Sequence, residues 1–170
     1  MDPINVVIAF YSRYGGAEKL ALNIGLGVLQ AKGTPRFRRL ADLAPPSVID
    51  ADETWKTNLR RMKIEYVAPR PGDPKLADVL VLVTPGDETT EILHFAESLA
   101  TDGSLAGRIV APIAEANAEM CLHPIYAAVA RTGMTIVPIL PSAEAVDACR
   151  LHGTRLVNMA RALKAAAGPA

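Results

Sequence analysis

The chain has little cysteine, no charge imbalance and no long apolar run, and each lack removes a class of protein. Cys121 and Cys149 are the 2 cysteines of a 170-residue chain, too few and too scattered for a disulfide framework or a zinc site. Lys and Arg number 18, as do Asp and Glu, which argues against a nucleic-acid surface or a polybasic membrane anchor. No apolar run approaches the ~20 residues of a membrane span. A strand-like run opens within about four residues of the amino end and leaves no place for a signal peptide. The expectation is a cytoplasmic protein without nucleic-acid partners. His94, His123 and His152 stand far apart, and none is spaced as a metal pair, so no metal is expected. Tryptophan occurs once, at Trp55. Half of the residues are hydrophobic, a globular profile, and the length suits one domain over residues 1–170.

What is present is organised around Ile4 to Ala17, INVVIAFYSRYGGA. Val6 to Tyr11 is unbroken apolar sequence and reads as a strand buried on both faces. Ser12-Arg13-Tyr14-Gly15-Gly16 follows at once, and a helical pattern opens at Ala17. Such a turn sets backbone N–H groups at the positive end of a helix, with the Ser12 hydroxyl and the Arg13 cation beside them. That arrangement suits a phosphate. The same residues also suit an ordinary strand-to-helix turn, where glycine serves only the backbone angles.

Farther along, the spacing of Ala17, Leu20, Ala21, Ile24, Val28 and Ala31 predicts a first helix to about Lys32. Leu22, Leu26 and Leu29 are expected to widen its buried stripe, and Gly33 to cap it. Arg36 to Leu40 reads as a second strand. The pattern then fails from Ala41 to about Ala77, where prolines punctuate a polar segment, and Asp50 to Met62 reads as a turn or two of helix. Connections of that length are uncommon without a function, an interface or a helix of their own. Trp55 is expected to anchor this excursion on the body or on a neighbouring subunit, and the excursion to lie at a subunit contact or across the sheet's carboxyl edge. Asp78 to Thr84 is the third strand, followed by the turn Pro85-Gly86-Asp87 and a helix from Thr89 to Ala100, capped by Thr89 or Thr90. Arg108 to Ile113, a helix between Asn117 and Thr132, a strand from Met134 to Leu140 and a helix from Ser142 to about Ala165 complete the chain.

Strands alternating with helices imply a three-layer α/β sandwich with a five-stranded parallel sheet. With the first strand central, the order is 2-1-3-4-5, and the ligand crevice lies beyond the carboxyl ends of strands one and three. Ser12 to Ala17 and Pro85 to Thr90 occupy those positions. A phosphorylated receiver domain shares this order, but it needs acids after strand one and an Asp ending strand three. Phe10-Tyr11-Ser12 and Thr84-Pro85 do not supply them.

Several segments, in order, resemble the WrbA-type, flavodoxin-like NAD(P)H:quinone oxidoreductases. Tyr11-Ser12-Arg13-Tyr14-Gly15 is similar to that family's FMN-phosphate loop. Arg38-Arg39-Leu40 with Pro45-Pro46, the strand ending in Thr84-Pro85, Gly133-Met134-Thr135-Ile136-Val137-Pro138 and His152-Gly153 match further family segments. The resemblance implies a flavodoxin-like fold and FMN held by Ser12, Arg13, Tyr14, Gly15, Gly16, Ala17, Thr84, Pro85, Gly86, Asp87 and Thr89. It also implies NAD(P)H and a quinone as redox partners and a homo-oligomer, dimer or tetramer. It assigns no catalytic side chain.

Departures from the family cluster on the ring side of this site. Gly86-Asp87-Glu88-Thr89-Thr90 stands where the family has an aromatic loop, and Ile113 to Glu119 replaces a Gly-rich segment, with Glu119 alone matching. Arg131-Thr132 replaces a His pair, and the insertion after strand five is missing. Lost polar or ring contacts cost about 1 kcal/mol or more each. FMN affinity is therefore expected well below that typical of the family. Two functions remain: an FMN-dependent oxidoreductase, or a non-enzymatic binding or assembly module that binds FMN weakly or not at all.

Overall fold

The computed structural model describes residues 3–86, 89–100, 103–139 and 145–167. Its sheet has five strands in the order β2-β1-β3-β4-β5: β1 (Asn5–Phe10), β2 (Thr34–Arg39), β3 (Val79–Thr84), β4 (Ile109–Ala114) and β5 (Thr135–Ile136). Every pairing is parallel, with Ile8 opposite Phe37 and Val81, Val81 opposite Ala111, and Ile109 opposite Thr135. The helices that cover it are α1 (Gly16–Gln30), α2 (Pro46–Asp50), α3 (Glu53–Glu65), α4 (Asp73–Leu76), α5 (Thr90–Leu99), α6 (Ala118–Ala130) and α7 (Ala145–Ala167).

Successive side chains of a strand point to opposite faces, and here both faces are covered. Val6, Ile8 and Phe10 of β1 join Val79, Val81, Val83, Ile109, Ala111 and Ile113 in a core with α1 and α7. Val7, Ala9 and Tyr11 join Leu80, Leu82 and Val110 in a second core with α5 and α6. The unbroken apolar runs in the sequence follow from this double burial. No helix among the described residues is long and apolar enough to cross a membrane.

Several expectations need correction. The excursion holds a full 13-residue helix, α3, rather than a turn or two. Asp52 caps it by accepting from the Trp55 N–H, and Trp55, Leu59 and Met62, at helical spacing, are its buried positions. Leu22, Leu26 and Leu29 point to solvent, Leu26 at 47% exposure, because α1 buries only the stripe that meets the sheet and α7. The left-handed residue ending α1 is Lys32 (φ 59). Gly33 instead answers a space limit, since a Cβ there would press on Val28 and Val157. Strand β5 shrinks to two residues; Val137 adds one bond to the Val110 carbonyl, and Pro138 brings no N–H to extend the ladder. Pro124 lies inside α6. Leu140, and Ser142 as cap of the last helix, lie outside the described residues.

Candidate functional site

The carboxyl ends of β1 and β3 are adjacent in the sheet, so the turn after β1 and the loop after β3 meet at one edge. There the Tyr11 N–H donates to the Val83 carbonyl at 3.1 Å, and the Glu115 N–H to that of Thr84 at 2.9 Å. Ser12 is buried, and its Oγ accepts from the Gly15 N–H at 3.0 Å, closing the turn. Gly15 has φ 95 and stands at the N-cap of α1, a left-handed conformation that a side chain would strain. Among the described residues no side chain caps α1, so the N–H groups of its first turn, at Gly16 and Ala17, face outward as the positive end of the helix.

The excursion clasps this turn from the side. Asn58 donates to the Arg13 carbonyl at 2.7 Å, and the Tyr14 hydroxyl to Asp52 at 2.7 Å. Arg61 donates through both terminal nitrogens to Glu18 in the first turn of α1, and the Tyr66 hydroxyl donates to the same carboxylate at 2.7 Å. Burial raises the Glu18 pKa, but the hydrogen bonds from Arg61 and Tyr66 outweigh it, and the group is held below its ordinary value. Glu18 is therefore an ionised acid already matched by a cation.

Behind the turn, the Asp42 side chain, 5% exposed, is a hub. It accepts from the Tyr11 hydroxyl at 3.2 Å, the Trp55 Nε1–H at 2.9 Å and an Arg39 terminal nitrogen at 2.5 Å. The Arg13 guanidinium lies 4.0 Å from the centroid of the Trp55 ring, a cation–π distance, and its Nε–H donates to the Tyr11 hydroxyl at 2.9 Å. Burial pushes the Tyr11 hydroxyl well above its ordinary pKa, so it acts as a neutral donor to Asp42. Trp55 is 2% exposed. It packs on Ile49 and Leu59 of the excursion itself and meets the body at the carboxyl edge through Arg13, the body being one of the two anchors expected.

Of the expected residues, Ser12, Arg13, Tyr14 and Gly16 line one cleft of about 280 Å³ with Pro85, Glu115 and Ala116. That lies near the lower end of small-molecule sites, about 300–1,000 Å³. Thr84 is fully buried and supports the loop through its carbonyl. Gly86 (φ 103) is so close to the Ala116 backbone that a Cβ would collide, and the Cys121 thiol donates to its carbonyl. Thr89 stands at the N-cap of α5 but makes no side-chain cap bond, so the expected capping by its hydroxyl is not formed. Asp87 and Glu88 lie outside the described residues. Arg131 is exposed and Thr132 buried with its hydroxyl on the Val129 carbonyl. No group of three or more His, Cys, Asp or Glu among the described residues is arranged to hold a metal.

Sequence reasoning missed the clasp and Glu115. Asp52 three residues before Trp55, with Leu59 and Met62 at helical spacing, was the available sign of a capped amphipathic helix. Glu115 left no sign, because its place opposite Gly16 arises from two loops joined only through the sheet.

The comparisons agree with this fold. A diflavin flavoprotein A3 from Nostoc sp. superposes with TM-score 0.62 at 15% identity, over 99% of this chain and 100% of that one. The two-electron reduced flavodoxin of Megasphaera elsdenii superposes with TM-score 0.57 at 17% identity, over 90% and 98%. The fold is flavodoxin-like. Among curated proteins, the NAD(P)H dehydrogenase (quinone) of Deinococcus radiodurans is 25% identical over 147 residues, covering 80% of this chain and 73% of that protein. No family model matches the chain.

Proposed function

We propose that this protein is an FMN-binding oxidoreductase of the flavodoxin-like fold, moving two electrons from NAD(P)H to a quinone-type acceptor as WrbA-type relatives do. The observation that carries the proposal is the uncapped amino end of α1 behind the Ser12–Gly15 turn, set where the sheet order reverses. That is where parallel α/β sheets take ligands. The resemblance to a quinone dehydrogenase over most of the chain supplies the reaction class.

The turn fits a phosphate by its backbone. Gly16 and Ala17 offer outward N–H groups, and the αL Gly15 keeps side chains out of the cradle. The carboxylate of Glu115 lies against Gly16, but it ends a flexible, exposed side chain and can swing aside. Ser12, through its bond to the Gly15 N–H, holds the cradle's shape, and Asn58, Asp52 and Arg61 keep the turn from shifting. Arg13 lends positive charge to the cleft while its guanidinium stays over Trp55. Pro85 and Ala116 form the wall opposite the turn. A bound flavin would supply the two-electron chemistry itself, and the residues named here bind and orient it. On this reading, copies of the chain assemble as a homo-oligomer.

A second reading, a non-enzymatic module with weak or no FMN binding, is favoured by the ring side. Gly86 and Ala116 are pressed together there, and the cleft's lining away from the turn has no aromatic side chain among the described residues. Titration with FMN, followed by quenching of flavin fluorescence, separates the two. The expected result is saturable binding in the micromolar range, weaker than a tight flavodoxin. No binding at millimolar FMN would leave the module reading.

A further inference from the structure

Two acids stand at the amino end of α1, and only one of them is compensated. Glu18 is buried and bonded to Arg61 and Tyr66. Glu115, the first residue after β4, is exposed and has no ion-pair partner among the described residues. Yet its carboxylate lies so close over Gly16 that a Cβ built there would fall on both oxygens. The positive end of α1, its outward N–H groups and the Arg13 cation that lines the same cleft favour an anion at that spot. The carboxylate lines the same cleft as the turn, over the first residue of the cradle.

We propose that Glu115 is a selectivity residue: an internal carboxylate in the anion cradle that a phosphate must displace, so that the site gives little preference to a phosphate-bearing flavin over a phosphate-free one. This deepens the flavin reading and rests on it. A phosphate monoester carries nearly two negative charges at neutral pH, so it is crowded and repelled by the carboxylate that lies over Gly16 beside those N–H groups. A ribityl hydroxyl carries no charge and can donate to Glu115 where it lies. The neutral ligand therefore loses nothing to the acid, and the anionic one does. A glycine with its open face toward position 115 gives the carboxylate its room, and the bond from the Glu115 N–H to the Thr84 carbonyl fixes the point from which it reaches.

The test compares FMN with riboflavin on the intact chain and on Glu115→Gln and Glu115→Ala, by fluorescence titration. Thermal shift with inorganic phosphate is run beside it. In the unaltered protein the two flavins should bind within about threefold of each other. In both variants FMN should bind about tenfold tighter, a gain of about 1.4 kcal/mol, with riboflavin unchanged or slightly weaker. A hundredfold preference for FMN in the unaltered protein, or an FMN-to-riboflavin ratio that the variants leave alone, overturns the proposal. If no protein binds either flavin, the flavin reading falls separately, and phosphate then decides. Stabilisation by phosphate that appears only in the variants upholds Glu115 as the occupant of the cradle, and equal response in all of them refutes it.

Discussion

At its amino end α1 is gripped by polar side chains from the excursion, whereas along its body it lies against α7 with glycine at the contact. A Cβ at Gly27 would strike the Arg150 carbonyl, and one at Gly153 would strike that of Ile24. The Thr154 hydroxyl donates to the Gly27 carbonyl at 3.0 Å across the same seam. The two regions therefore resist change differently. Charge-assisted bonds are directional and hold the turn's shape, but each depends on its partner. Close backbone contact is unspecific in chemistry, yet it leaves no room for one extra methyl group.

The largest effect is expected where the clasp is buried most deeply. Asp42→Ala removes one carboxylate from three donors and leaves the Arg39 guanidinium, whose Nε already lacks a partner among the described residues, buried without its counter-charge. Breaking such a pair costs about 3–5 kcal/mol. Urea unfolding should show that loss, with Trp55 fluorescence shifting to the red in the native baseline. A cost below about 1 kcal/mol would mean that the excursion rests on Trp55 packing alone.

On the α7 side, His152 is 2% exposed, with neither ring nitrogen hydrogen-bonded among the described residues. Burial, with a smaller contribution from the nearby Arg155 charge, lowers its pKa from 6.5 to about 4. The folded protein thus keeps the imidazole neutral while the unfolded chain protonates it first. Its contribution is intact above pH 6.5 and declines as the pH falls toward 4, by at most about 3 kcal/mol. His152→Leu should flatten the stability profile in that window and change little above it. An unchanged slope would place the effect on other groups, the clasp's carboxylates first.

The smallest effects test the seam against the cradle directly. Gly27→Ala drives a methyl group into backbone, and overpacking of this kind costs about 1–3 kcal/mol. Gly16→Ala meets only the end of the Glu115 side chain, which can swing away, so its cost should stay within about 0.5 kcal/mol. Equal costs in paired denaturation curves would erase the distinction between the two regions.

Much of this was legible in the residues, for local reasons. The runs at Val6–Phe10 and Val79–Thr84 need no partner to be recognised, since double burial writes itself as continuous hydrophobicity. The Ser12-to-Gly16 turn is equally local, as its hydroxyl, left-handed glycine and helix start lie within five residues. Helix α3 reads as a turn or two because nearly all of its surface is polar, and of its few buried positions Trp55 and Leu59 pack on a small cluster of the excursion's own while Met62 alone reaches the main core. The leucines of α1 were read as buried because helical spacing shows a stripe without showing where the neighbouring helix ends.

By itself the sequence determined the layer order, the parallel sheet and the place of the turn at the carboxyl edge, because each follows from short-range pattern and the handedness of β-α-β connections. The tertiary structure alone decided what surrounds that turn. Asp42, Asp52, Asn58 and Arg61 reach it from 31 or more residues away, and Glu115 arrives from another strand altogether. Side-chain bonds between distant segments leave no period in a sequence. They exist only once the sheet has set its strand ends side by side and brought opposite charges within a few ångströms.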